Sequence, residues 1–312
     1  MAEKNTRRGN IIEALGSSFK VLADGEVIKC HHRGKFRVAE GSETYPVVGD
    51  YVEIIESPSG CMINKIYPRR SKISRQETGA GSAKEKVLIA NLEQCVIVSS
   101  IDEPPFKPRL IDRMLVSVLK GSLRPIIVLN KLDLLSDFNL EFWKSVYENI
   151  GYPFITACAL TGEGIVELKN ELSGKISVFT GHSGVGKSSL LNQIKPGLGA
   201  ATKEVSVSTG KGRHTTTRTT MYPIDNDSFV VDTPGLKELG LWEVEKSELA
   251  YYFEEFQPFG GECKFRNCIH LSEPGCAVKE AVVQGEISEV RYESYRRIIE
   301  TLPEKSYEKS RG

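Results

Sequence analysis

Residues 181–188 read Gly-His-Ser-Gly-Val-Gly-Lys-Ser, which fits the phosphate-binding loop pattern G-x-x-x-x-G-K-S/T at every fixed position. Such a loop constrains the fold because it works only between a buried strand and a helix N-terminus. There the backbone N–H groups of the glycine-rich turn wrap phosphate oxygens, and the helix end adds partial positive charge. The flanks meet this demand: Ile176, Val178 and Phe179 precede the loop in a buried-strand pattern, and Leu190, Leu191 and Ile194 follow it with helical spacing. Gly181, Gly184 and Gly186 bring the backbone close to the phosphates, with His182, Ser183 and Val185 between them. Lys187 supplies a point charge to the outer phosphates, Ser188 offers its hydroxyl to Mg²⁺, and Ser189 completes the expected nucleotide-binding set. The chain therefore contains an α/β domain that binds a nucleotide.

A second strand, Phe229-Val230-Val231, runs into Asp232-Thr233-Pro234-Gly235, a D-x-x-G pattern. Asp232 is expected to hold the Mg²⁺ water shell and the Gly235 N–H to sense a γ-phosphate. Between the two loops, residues 196–220 are rich in Gly, Thr, Lys and Arg and read as a mobile switch. One threonine there is expected to complete Mg²⁺ coordination; Thr216 is favoured, with Thr215 and Thr217 left open. Leu236 stands where Ras-like enzymes carry a water-orienting glutamine, so intrinsic hydrolysis should be slow. His214 is the candidate to position the water instead, which makes His214, Thr216 and Lys187 the expected catalytic set.

The base is chosen upstream. Pro125 to Leu129 form a continuous apolar strand that ends in Asn130-Lys131-Leu132-Asp133, an N-K-x-D pattern. Guanine presents N1–H and N2–H₂ as adjacent donors that one carboxylate accepts together, and adenine has no such pair. Asp133 should thus select GTP over ATP, by on the order of 10⁴-fold. Cys158 and Ala159 follow the next strand, where translational-type GTPases place a Ser-Ala pair behind the base. A conventional GTPase runs phosphate loop, threonine, D-x-x-G, N-K-x-D; this chain places N-K-x-D first. The fold expected for residues 87–240 is an α/β P-loop GTPase domain in circularly permuted order, which nearby surface termini allow.

The flanks add two further domains. Residues 1–75 show short apolar runs cut by turn residues, suiting an OB-type β-barrel of about five strands. Lys and Arg exceed Asp and Glu there by roughly four, against a net charge of zero for the 312-residue chain, so nucleic-acid contact is expected of that barrel. Residues 76–86 read as a linker. Residues 241–312 read as a mostly helical domain, with Leu249, Tyr252, Phe253 and Phe256 on one helical face and Tyr295, Ile298, Ile299 and Leu302 on a terminal amphipathic helix. Between them Cys263, Cys268, His270 and Cys276 form a Cys₃His set suited to one tetrahedral, structural Zn²⁺. The other cysteines, Cys30, Cys61, Cys95 and Cys158, read as small core residues. No stretch approaches a membrane span or a signal peptide, so a cytoplasmic protein without membrane contact is expected.

Taken together, the permuted N-K-x-D, G-H-S-G-V-G-K-S-S, G-R-H-T-T-T, D-T-P-G and C-x₄-C-x-H-x₅-C, preceded by a small barrel, resemble the bacterial ribosome small-subunit-dependent GTPase A (RsgA) family. The resemblance covers nearly the whole length. It implies an N-terminal OB fold, a permuted GTPase domain and a C-terminal zinc domain acting in late maturation of the 30S subunit. GTP and GDP, the 30S subunit and its 16S rRNA are the partners so implied, with GTP hydrolysis weak alone and faster on the subunit. The chain is expected to act as a monomer.

Overall fold

The computed structural model describes residues 6–32, 34, 36–37, 43–58, 60–77, 84–198, 219–225, 227–232, 241 and 244–302. The N-terminal region holds β1 (Thr6–Leu15), β2 (Ser18–Ala23), β3 (Glu26–His31), a short ladder of β4 (Phe36–Arg37) and β5 (Glu43–Thr44), then β6 (Tyr51–Ser57) and β7 (Gly60–Ile66). The order β1-β2-β3-β7-β6, with β6 returning to β1, closes a barrel. Alternation fills it: Phe19, Val21 and Ala23 on β2, Val52 and Ile54 on β6, and Cys61 and Ile63 on β7 are all buried. Gly9 marks a close crossing of β1 and β2, since a Cβ there would lie 2.5 Å from Val21 Cγ1 and 2.6 Å from the Leu22 carbonyl oxygen.

Lys72–Glu77 (β8) and Lys84–Ala90 (β9) pair as an antiparallel ladder that includes Gln76, Glu85 and Lys86. Of the residues read as a linker, 76–77 and 84–86 thus lie in paired strands, and 78–83 lie outside the described residues. Polar contacts such as Lys72 Nζ to Glu85 Oε1 at 2.8 Å accompany buried apolar residues, Ile73, Ile89 and Ala90, gathered at one end of the ladder, so no sustained apolar period announces the strands.

The central domain runs β10 (Gln94–Ser100), α1 (Pro108–Lys120), β11 (Arg124–Asn130), α2 (Leu140–Glu148), β12 (Phe154–Thr156), α3 (Ile165–Leu172), β13 (Ile176–Thr180), α4 (Lys187–Ile194), β14 (Thr219–Pro223) and β15 (Phe229–Asp232). The sheet order is β12-β11-β10-β13-β15-β14, parallel except for β14. Both faces are covered, and the strands sort their side chains by parity. Cys95, Ile97, Ile127 and Leu129 pack with Ile111, Met114, Leu115 and Val118 of α1 and Tyr147 of α2. Val96, Val98, Ile126 and Val128 pack with Leu168 and Leu172 of α3 and Leu190, Leu191 and Ile194 of α4. This is the doubly wound arrangement whose ligands sit outside the carboxyl ends of the strands.

The barrel and this sheet are one continuous eleven-stranded surface. Along one edge of β1, Thr6 to Asn10 pair with β6, and further on Glu13 and Ala14 pair with Thr220 and Thr219 of β14.

On the opposite side the C-terminal region packs against α1. Two 3₁₀ segments, Leu249–Tyr252 and Glu254–Phe256, replace the single helix expected from Leu249, Tyr252, Phe253 and Phe256. Phe253 leaves helical backbone (φ −103°, ψ 87°) and its ring lies under the Arg291 guanidinium at 4.7 Å and edge-on to Tyr295 at 5.2 Å. Tertiary contacts thus break the helix; Leu249, Phe253 and Phe256 are buried as expected, and Tyr252 is only half-buried. After a single helical turn, Gln257–Gly260, come α5 (Ala277–Val283) and α6 (Glu289–Glu300), and Tyr295, Ile298, Ile299 and, just beyond the helix, Leu302 are buried. Arg291 on α6 is 1% exposed, ion-paired to Asp112 of α1 and to Glu255 (Nε to Oε1, 2.7 Å), while Tyr147 Oη donates to Asp112 Oδ1 at 3.0 Å. Among the described residues no helix is long and apolar enough to cross a membrane.

Candidate nucleotide site and metal centre

The carboxyl ends of β10, β11, β12 and β13 bring the predicted loops to one edge. Gly186 caps α4 in left-handed backbone (φ +93°), and a Cβ there would lie 2.2 Å from Asn130 Nδ2. Glycine is required twice over, by conformation and by space. The space is taken because Asn130, 1% exposed, donates from Nδ2 to the Val185 carbonyl at 2.9 Å and accepts at Oδ1 from the Ala159 N–H at 3.1 Å. One buried amide therefore ties the N-K-x-D loop to the phosphate loop and to the loop behind the base. Gln193 of α4 adds a second tie, donating to the Ala159 carbonyl at 2.8 Å.

Lys187 Nζ bridges the Gly181 and His182 carbonyls at 2.6 and 2.8 Å, so the ammonium lies across the mouth of the loop. His182 Nδ1 lies 2.8 Å from the Ser183 carbonyl. Ser183 and Gly184 face solvent, Val185 is buried beneath them, and Ser188 and Ser189 open the first turn of α4. Lys131 adopts left-handed backbone (φ 67°, ψ 46°) and its Nζ donates to the Glu103 carbonyl, packing the base loop against the loop after β10. Asp133 is exposed, and the Cys158 thiol donates to its Oδ1 at 3.1 Å. The thiol thus makes the contact to the carboxylate that a serine hydroxyl could make in its place, leaving the remaining carboxylate surface open.

Asp232 ends β15 beside this edge, though its side chain lies outside the described atoms. His214, Thr216 and Gly235 likewise lie outside the described residues. Sequence reasoning missed Gln193, the Glu103 carbonyl and the bridging role of Asn130. The first two have no motif, and Asn130 was visible only as a motif letter.

The second cluster is Cys263, Cys268, His270 and Cys276, whose ligand atoms all lie within 4.8 Å of one another. Cys263 Sγ is 3.9 Å from Cys276 Sγ, and His270 Nδ1 is 3.5 and 3.4 Å from these two sulfurs. A tetrahedral ion with metal–sulfur bonds of about 2.3 Å and metal–nitrogen bonds of about 2.0 Å requires about 3.8 Å between sulfurs and about 3.5 Å from sulfur to nitrogen. The cluster fits that figure and could hold a metal ion. Its loop is braced from α6: Tyr292 Oη donates to the His270 carbonyl at 2.8 Å and Tyr295 Oη to the Ile269 carbonyl at 2.6 Å. Glu273 accepts the Ile269 and Leu271 N–H groups at 2.8 and 2.9 Å. Burial lowers the His270 pKa, favouring the neutral imidazole that a metal needs; burial, with the neighbouring thiols, pushes Cys268 up to about 12.

Fold and site together define a circularly permuted P-loop GTPase with a barrel before it and a possible metal-binding domain after it. The RsgA GTPase family model matches residues 66–242, and the RsgA N-terminal domain model matches residues 8–60. The chain belongs to the RsgA GTPase family. It is 39% identical over 306 residues to the small ribosomal subunit biogenesis GTPase RsgA of Bacteroides fragilis, covering 96% of this chain and 98% of that one. A relative of the same name from Geobacillus sp. is 42% identical over 301 residues, covering 95% and 98%. Among solved structures, YjeQ from Thermotoga maritima superposes with a TM-score of 0.77 at 36% identity over 95% of this chain and 98% of that one. YloQ, described as a circularly permuted GTPase, gives 0.73 at 28% identity over 97% and 99%.

Proposed function

We propose that this chain hydrolyses GTP to GDP and phosphate as an assembly factor in late maturation of the 30S subunit, docking on 16S rRNA. The observation that carries the nucleotide reading is Asn130, whose amide locks base-recognition and phosphate loops into one site. Asp133 accepts the two guanine donors, one on each oxygen, while the Cys158 thiol donates to Oδ1 as well, and Cys158 and Ala159 back the base. Residues 181–189 cradle the phosphates, with Lys187 meeting the β- and γ-phosphates. Ser188 and Thr216 hold Mg²⁺, which neutralises charge on the phosphates when bound, with Asp232 behind its water shell. The Gly235 N–H reports the γ-phosphate, and His214 positions the water in place of the glutamine that Leu236 does not supply. Cys263, Cys268, His270 and Cys276 would hold one structural Zn²⁺; the spacing of Cys263, His270 and Cys276, with Cys268 within 4.8 Å of them, supports this. The protein works in the cytoplasm as a monomer.

Turnover measured with and without purified 30S subunits tests the reading. GTP release of phosphate should be slow alone and rise on the subunit; no turnover in either case, or equal use of ATP, overturns it. Asp133→Asn should lower kcat/KM for GTP by at least about 100-fold and transfer preference to xanthosine triphosphate.

A further inference from the structure

Cys30 and Cys61 face one another inside the barrel, their Sγ atoms 2.7 Å apart. They are a direct register pair, Cys30↔Cys61, on β3 and β7. This seam is the one parallel contact of the ring, and Cys30↔Cys61 and His31↔Met62 are its only register positions. This seam is thus the shortest of the barrel among the described residues, and two thiols occupy it. Cys95, buried in the central sheet with no second thiol paired to it among the described residues, shows what an isolated core cysteine looks like here.

We propose that Cys30 and Cys61 form a redox-active dithiol that a peroxide converts to a disulfide, covalently closing the β3–β7 seam. Cys61 is 6% exposed and Cys30 0%, so Cys61 is the member of the pair nearer solvent and the one taken to meet the oxidant first. Its thiolate attacks one peroxide oxygen; the O–O bond breaks, giving a sulfenic acid and one water. The Cys30 sulfur then attacks the Cys61 sulfur, the S–O bond breaks, and a second water leaves with the thiol proton. Two thiols thus supply two electrons to one hydrogen peroxide, which becomes two waters. Burial raises both thiol pKa values, so the pair stays reduced until an oxidant is sustained or the seam opens. Once one sulfur is oxidised, its partner is already in place, and closure competes well with further oxidation to sulfinic acid.

The test uses the full-length chain. After hydrogen peroxide treatment and blocking of free thiols, non-reducing peptide mapping should find the Cys30 and Cys61 peptides linked, with Cys95 still a thiol. The thermal midpoint of the barrel should rise by roughly 5–10 °C and return on reduction. In glutathione redox buffers the native pair should close at an oxidised-to-reduced ratio at least about 100-fold lower than the same pair in denaturant. Cys30→Ala should abolish the link and the thermal shift while Cys61 becomes trappable as a sulfenic acid. The proposal falls if Cys30 and Cys61 remain alkylatable thiols while other cysteines oxidise, if each goes singly to sulfinic acid, or if the native fold closes the pair no more readily than the unfolded chain.

Discussion

The central domain is joined to its two neighbours by opposite means. Toward the barrel the joint is backbone: Glu13 and Ala14 of β1 lie in register with Thr220 and Thr219 of β14, extending one sheet into the other. Toward the C-terminal region it is side chain: Arg291 of α6 is buried between Asp112 and Glu255, with its guanidinium over the rings of Tyr147 and Phe253. A backbone ladder tolerates substitution because every residue offers the same N–H and C=O groups. A buried charge network does not, since removing one member strands the others without water. The consequence for the switch is also different. β14 begins at Thr219, directly after residues 199–218, so the barrel joint is contiguous with the segment expected to respond to nucleotide.

The same helix that carries Arg291 carries Tyr292 and Tyr295, which brace the ligand loop, so the side-chain joint should depend on the metal. Chelation, or Cys276→Ala, is therefore the largest perturbation: structural zinc contributes on the order of 10 kcal/mol to small domains. Hydrogen exchange should rise across residues 249–300 while the barrel keeps its protection. Protection unchanged after metal removal would show that the hydrophobic cluster around Phe253, Phe256 and Tyr295 holds this region alone. Next comes Arg291→Ala, expected to cost about 3–5 kcal/mol in urea unfolding because Asp112 and Glu255 stay buried without a cation. Combining Arg291→Met with Asp112→Leu should recover most of that loss.

On the other side Gly9→Val should cost about 1–3 kcal/mol through the clash with Val21 and the Leu22 carbonyl, read as a lowered midpoint of the barrel. If the loss spreads to exchange at β14, the two sheets unfold together. The smallest effect is expected from Thr219→Ala or Thr220→Ala, each within about 1 kcal/mol, since the ladder uses backbone atoms. A loss as large as that of Arg291→Ala would break the contrast between the joints.

Legibility followed sequence distance. The phosphate loop, N-K-x-D, D-x-x-G and the Cys₃His set are short patterns in which chemistry dictates residue type and spacing, so their residues could be named from the chain alone. The apolar stripe Ile111, Met114, Leu115, Val118, spaced i, i+3, i+4, i+7, marks the core face of α1 for the same reason. It could not reveal Asp112, one residue along the same helix and buried against Arg291, because an isolated acidic residue looks solvent-facing until its partner, 179 positions away, is placed. The full length of the β8–β9 ladder was not legible because its outer pairs, Arg75↔Lys86, Gln76↔Glu85 and Glu77↔Lys84, are polar, and the expected helix at Leu249 was broken by ring contacts that no local propensity encodes.

By itself, then, the sequence determined the permuted order of its motifs and marked the candidate nucleotide residues and a cluster that could hold a metal ion, because each motif is a pattern within one loop or one turn. Only the tertiary structure decided that Asn130 locks the loops together, that Cys30 meets Cys61, that β1 continues into β14 and that Arg291 anchors the last helix. Those contacts join residues distant in the chain, and nothing in the spacing of either partner records the other.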